Sequence, residues 1–304
     1  MNRETQMWRT RIGAVEIMRV EEMLGPGYEP AFLFPDYDPR VLEAHPALAA
    51  PAFFDGASGR LMSSMQTWLL RAGDAVMLID TGCGNGKVRE NAAFRRFHML
   101  DLPYLDRLSA CGVRPEDVTL VVNTHLHVDH VGWNTRFVDG RWLPTFARAR
   151  YLIGRQELAH WRDPHGGPRL HPEGIPVIAD SVDPVVAAGR VDLLDDGDTI
   201  LPGISVHAVP GHTAGQLAVR VESQGELGLF TADVFHQPMQ IVRPDWNSRY
   251  CEVPAAAVAT RRRVLTEAAR SGAVLFPSHT GFPHAGRVAA DAGGFRFVPL
   301  ALTP

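Results

Sequence analysis

Residues 124–134 read THLHVDHVGWN, so His125, His127, Asp129 and His130 crowd together directly after the apolar run VTLVV. Neutral imidazole is a common ligand for zinc and its neighbours, and carboxylate is a hard oxygen ligand. In an extended segment alternate side chains share a side, so His125 and His127 face one point. A helix beginning near Asp129 would swing Asp129 and His130 toward a second point. Four donors on one short segment cannot close a site alone, so distant partners are required. Three stretches offer them: VHAVPGHTAG with His212, GLFTADVF with Asp233, and VLFPSHTG with His279. In each, the polar residue follows an apolar strand-like run and sits beside small residues, where a side chain emerges from the end of a sheet. His45, His98, His207 and His284 lack this setting and read as structural.

The elements that must position these residues follow from periodicity and punctuation. Residues 12–22 read as a strand, and 65–82 as two strands joined by Gly73-Asp74. A helix near 101–111 leads to a strand at 118–124. Further strands are expected at 149–153, 191–195, 204–209, 217–222 and 227–231, with helices near 155–162 and 182–189. Residues 254–272 combine an initial proline, helical apolar spacing and a final glycine, marking a helix that feeds the strand 273–277. The pattern fits sheets packed on each other with helices outside better than regular βαβ alternation. Residues 25–60, rich in proline and aromatics, suggest a long irregular arm over the surface. With no repeat or linker, the chain reads as one domain over 1–304.

Composition excludes little but narrows the field. Of 304 residues, 45% are hydrophobic and 21% charged, ordinary for a globular enzyme with a sizeable core. With 30 Lys plus Arg against 34 Asp plus Glu, the net charge of −4 opposes a nucleic-acid partner. The one basic run, Arg261 to Arg263, reads as a solvated helix face. Cys83, Cys111 and Cys251 form no CxxC or disulfide framework, which suits a reducing compartment. The N-terminus lacks the apolar core of a signal peptide, and no run of about 18 apolar residues is present to span a bilayer. A cytoplasmic protein without a membrane partner is expected.

The set HLHVDH, GHTAG, TADV and PSHTG, preceded by LIDTGCG, resembles the metallo-β-lactamase-fold hydrolases over residues 65–282. The resemblance implies an α/β fold, a four-layer αββα sandwich with a dinuclear metal site at one edge of its two sheets. It assigns His125, His127 and His212 to one metal, and Asp129, His130 and His279 to a second, with Asp233 bridging them. By the same resemblance Asp80 orients a ligand histidine; as a residue before Gly82 and Gly84 it reads equally well as a turn former. Thr213 and Thr280 follow ligand histidines and fix backbone or water, while Cys83 reads as a small core residue.

Two divalent cations with two aspartates leave positive charge that favours a bridging hydroxide, and metals about 3.5–4 Å apart lower the pKa of its parent water toward ~7. Such a nucleophile needs no Ser or Cys, and Asp129 is placed to take its proton. Five His and two Asp suit zinc first, and also manganese, iron or cobalt. Nucleases of this fold should show a basic tract. Thioesterases of the glyoxalase II kind carry a basic C-terminal helical region where this chain has FRFVPLALTP, and flavin-bearing relatives need an added domain.

The aromatic segment 25–60 and the loop after Asp233 resemble the lactonase and methyl parathion hydrolase-like branch, implying a small hydrophobic ester or lactone substrate and a homodimer contact. Phosphotriesters are a side activity of that reading. Trp246 and the phenylalanines of 25–60 read equally as plain core. Tyr250 and His236, downstream of Asp233, are candidate acids for the leaving alkoxide. The alternatives are a β-lactam hydrolase, which the absent signal peptide disfavours, and a non-catalytic metal-binding protein on the same scaffold.

Overall fold

The computed structural model describes residues 8–301. These fall into two compact units: residues up to Glu22 with Gln66–Leu194, and Met23–Met65 with the chain from Asp195 onward.

In the first unit the sheet runs in the order Arg9–Ile12, Val15–Pro26, Arg60–Ala72, Ala75–Ile79, Leu120–Asn123, Arg150–Gly154, Val191–Leu194. The turn expected at Gly73-Asp74 joins an antiparallel pair in the register Leu69↔Leu78, with Gly73 at φ +57. From Ala75–Ile79 onward the strands are parallel. Parallel strands are covered on both faces and read as short apolar runs, which is why LIV-rich stretches sufficed to find them. Their core contains Met18, Leu69, Leu78, Leu108, Val121, Trp133 and Tyr151. Asp80 follows Ala75–Ile79 and Thr124 follows Leu120–Asn123, so both leave the carboxyl ends of neighbouring parallel strands, where α/β sheets place their ligands.

The second unit repeats this logic. Its seven-stranded sheet runs in chain order from Thr199–Leu201 to Gly294–Pro299. All its pairs are antiparallel except Glu226–Ala232 with Val274–Pro277, joined across the helix Pro254–Ser271. That helix begins on Pro254 and stops at Gly272, whose φ of +68 is the left-handed cap glycine adopts without strain. Asp233 and His279 follow these two parallel strands.

Two expectations change. Residues 25–60 are not an irregular surface arm: they form the single-turn helices Pro30–Leu33 and Arg40–Ala44, the 3-10 turn Pro46–Ala49 and the strand Phe54–Asp55. Prolines limit each helix to about one turn, yet Leu33, Phe34, Val41 and Leu48 are buried in one cluster with Leu61, Met239 and Trp246. Arg261 is not on a solvated face; it is 1% exposed, and its guanidinium donates to the carbonyls of Val234 (3.0 Å) and Pro244 (2.8 Å). The C-terminal residues FRFVP form the strand Gly294–Pro299, paired antiparallel with Gly286–Asp291. No helix among the described residues is long and apolar enough to cross a membrane.

The loop after Asp80 is anchored by buried charge. Arg89 makes a bidentate pair with Asp180 (2.7 and 2.8 Å), and Lys87 Nζ lies 2.9 Å from Thr135 Oγ1 and 3.7 Å above the Trp142 ring. Burial pushes the Lys87 ammonium down to about 8 from the usual 10.5. Between those values the unfolded chain holds the proton that the folded chain has released, so stability rises with pH. Denaturant titrations from pH 8 to 10 should show wild type gaining stability relative to Lys87→Met; a constant difference across that range would sink this account.

Candidate metal centre

The HLHVDH segment is neither an extended strand nor the start of a helix. It is a turn in which the His130 amide donates to the His127 carbonyl (3.1 Å), followed by the 3-10 turn Gly132–Asn134. A helix is prevented because the segment pairs with the Asp80 loop. Thr81 N–H donates to the His130 carbonyl (2.7 Å), Gly132 N–H to Gly82 (2.6 Å) and Trp133 N–H to Thr81 (2.8 Å). The approach is so close that a Cβ on Gly132 would lie 1.8 Å from the Cys83 carbonyl carbon. The turn gathers the imidazoles: ring centroids are 4.7 Å apart for His125 and His127, and 4.0 Å for His125 and His130.

Their proton positions follow from the hydrogen bonds. Asp80, buried and at φ +57, accepts from the Thr124 amide (2.8 Å), the Thr124 hydroxyl (2.8 Å) and His130 Nδ1–H (2.8 Å). Both readings of Asp80 therefore hold, since it turns the chain and orients a histidine. The Thr124 hydroxyl has given its only hydrogen to Asp80, so it accepts from His125 Nδ1–H at 3.1 Å. His125 and His130 thus carry hydrogen on Nδ1 and present Nε2 lone pairs. Asp129 Oδ1 lies 3.7 Å from His130 Nε2. Cys83 is buried, and burial followed by the charge of Glu22 pushes its thiol well up, so it stays neutral.

In the second unit one carboxylate stands among three imidazoles. Asp233 oxygens lie 3.4 Å from His212 Nε2, 3.2 Å from His236 Nε2 and 3.1 Å from His279 Nε2. His279 Nδ1–H donates to the Ser64 carbonyl (2.9 Å), which can only accept, so its Nε2 turns a lone pair toward the carboxylate. Imidazole nitrogens this close to a carboxylate suit a zinc or neighbouring divalent cation held between them. The chain spends local strain to make this arrangement. Ala232, immediately before Asp233, has φ +48, and Gly211, before His212, lies where a Cβ would meet the Ala257 amide at 2.2 Å.

His236 is the residue whose placement sequence reasoning missed. Expected as a leaving-group acid, it lies three residues after Asp233, and its ligand atom clusters with those of His212 and Asp233 within 4.8 Å. The DVFH spacing was the available signal. Tyr250 packs beside Tyr28 (centroids 5.9 Å) and joins the Trp246 cluster. It precedes Glu252, whose amide donates to the His212 carbonyl (3.0 Å). Thr213 and Thr280 are buried, and the Thr280 carbonyl accepts from His284 Nδ1–H (2.9 Å).

Comparison with solved structures places the chain beside the hydrolase AbOPH of the beta lactamase superfamily, at 24% identity and TM-score 0.81 over 98% of each chain. It is also similar to AidC, a dizinc quorum-quenching lactonase, at 20% identity and TM-score 0.78 over 98% of each chain. Among curated proteins it is 27% identical to the N-acyl homoserine lactonase AiiB of Agrobacterium fabrum across 186 residues, 55% of this chain and 62% of that one. The shared stretch is thus less than two thirds of that lactonase. The family model of the metallo-beta-lactamase superfamily matches residues 66–279, and with its two sheets and flanking helices this α/β chain belongs to that family.

Proposed function

We propose that the chain is a metal-dependent hydrolase that opens lactones or carboxylic esters, using two divalent cations bound by His125, His127, Asp129, His130, His212, Asp233 and His279. Zinc is the first choice, with manganese, iron or cobalt suited to the same donors. The observation that carries this reading is the tautomer set. His125, His130 and His279 each engage Nδ1 with an internal acceptor, leaving Nε2 as the ligand atom. Bound divalent cations supply polarisation of the substrate carbonyl and a water acidic near neutral pH.

The remaining roles belong to the chain. Asp129, the most accessible carboxylate of the first set at 16% side-chain exposure, takes the proton of the attacking water. Asp80 and Ser64 hold His130 and His279 in orientation. His236, buried against Asp233, and Tyr250 are the candidate donors to the leaving alkoxide. The apolar surface of Tyr28, Phe32 and Tyr250 suits a hydrophobic acyl group, and the lactonases among its relatives support an acyl-homoserine lactone as one substrate.

The test is a panel of acyl-homoserine lactones, aryl esters, an aryl phosphotriester and nitrocefin, run on protein stripped of metal and reloaded with zinc, manganese or cobalt. Lactone or ester turnover that appears only on reloading is expected. Nitrocefin turnover equal to the best ester would establish the β-lactam alternative instead. Silence across the panel from metal-loaded protein would leave the non-catalytic reading.

A further inference from the structure

We propose that Glu22 is a positioning residue for the first histidine set, acting through the loop 81–84 and the indole of Trp133 on Asp80 and His130; the inference rests on the metal reading above. Glu22 lies on the strand Val15–Pro26, is 1% exposed, and is remote in sequence from every ligand motif. Its carboxylate accepts three N–H groups: Cys83 (2.6 Å) on Oε2, and Gly84 (3.0 Å) with Trp133 Nε1 (2.7 Å) on Oε1. The first two belong to the loop that follows Asp80, and the third to the turn that follows His130. Glu22 therefore clamps together the two strips whose backbone pairing holds Asp80 beside His130.

The clamp is itself braced. Arg107 donates to the backbone carbonyls of Glu21 (2.9 Å) and Glu22 (2.7 Å), fixing that part of the strand. Trp133 stacks on Tyr104 at 4.9 Å, and the Tyr104 hydroxyl meets Thr67 Oγ1 at 2.7 Å. A Cβ at Gly82 would stand 2.3 Å from Glu22 Oε2, so the loop is shaped to the carboxylate. Burial pushes the Glu22 carboxyl up, and its hydrogen bonds to the Cys83 amide and thiol, the Gly84 amide and the Trp133 indole oppose that shift. All three N–H groups donate, and the two carboxyl oxygens accept them together. Glutamine, nearly the same shape, would turn an NH₂ toward at least one N–H.

A strut that merely held the fold would lower stability and leave His130 unchanged. Glu22→Gln and Trp133→Phe should therefore be compared with wild type, as whole chains, by two readouts besides activity. One is hydrogen exchange of His130 Nδ1–H in metal-stripped protein, assigned by its loss in Asp80→Ala; the other is Co²⁺ affinity in competition with a chelator. Folded Glu22→Gln should exchange that proton at least tenfold faster and bind Co²⁺ about 10–100-fold more weakly, the usual penalty for disturbing groups behind a ligand histidine. Trp133→Phe, which removes one donor of three, should move both in the same direction by a smaller factor. Folded Glu22→Gln with wild-type exchange and affinity overturns the proposal. Should that variant fail to fold, unchanged exchange in Trp133→Phe overturns it equally. Wild type that takes up no Co²⁺ sinks the metal reading alone, because proton exchange still tests Glu22.

Discussion

Asp233→Ala should abolish stoichiometric metal uptake and lower turnover at least about a hundredfold, beyond the 10–100-fold typical of losing a group behind a ligand. The reason lies in what the side chain separates. Its oxygens stand within 3.1–3.4 Å of Nε2 on His212, His236 and His279, and the His279 nitrogen is fixed as a lone pair by Ser64. Without the carboxylate, the imidazoles around it lose the negative charge that offsets a bound dication. Asp233→Asn sharpens the comparison: an oxygen ligand survives while the charge is lost, so it should bind less metal than wild type and more than Asp233→Ala. Elemental analysis of dialysed protein, paired with the best ester or lactone, measures both effects. Full metal content and turnover in Asp233→Ala would remove the basis of the proposed function.

Trp246→Ala should cost about 3–5 kcal/mol of stability, as large aromatic truncations in cores do. The indole is 1% exposed and lies among Phe34 (6.3 Å), Tyr37 (5.7 Å) and the Arg243 guanidinium (4.7 Å). It is the piece against which the short helices of residues 30–48 bury Leu33, Phe34, Val41 and Leu48. Its removal leaves a cavity that proline-limited turns have little freedom to fill. Guanidinium titration with fluorescence and circular dichroism gives the number. A loss below about 1 kcal/mol would place Trp246 among surface residues rather than core.

The sequence disclosed the ligand motifs and the strands they follow more fully than what lies between. The helix expected at 155–162 is Arg155–Arg162, and the strand expected at 217–222 is Leu217–Ser223, because apolar period and bounding glycines are local signals. Within 163–188 the helix expected near 182–189 is Asp183–Ala187, but the short turns before it and the π turn at Ile178–Val182 that leads into it were not legible, being too short to show a period. Arg261 escaped for another reason: periodicity reports which face a residue starts from, not how far a guanidinium reaches. At His130 local reading pointed to a helix, but pairing with Thr81 and Gly82 won, a tertiary effect no window of neighbours contains. Glu22 was invisible as a functional residue because its partners lie about sixty and a hundred and ten positions away.

The register of the two parallel strands in the second unit has an implication for adapting this protein to new chemistry. Phe230 pairs with Phe276 and Ala232 with Pro277, so Asp233 and His279 are fixed by the sheet itself. The crossover between them holds the helix Pro254–Ser271 and, before it, the loop of Gln237, Trp246 and Tyr250. Randomising exposed positions of that loop, such as Arg249 or Val253, should leave Asp233 and His279 at their spacing, because neither position belongs to the paired strands. The variable connection and the strands that set those two side chains are thus separate stretches of chain, and laboratory evolution is free to alter the first without rebuilding the second.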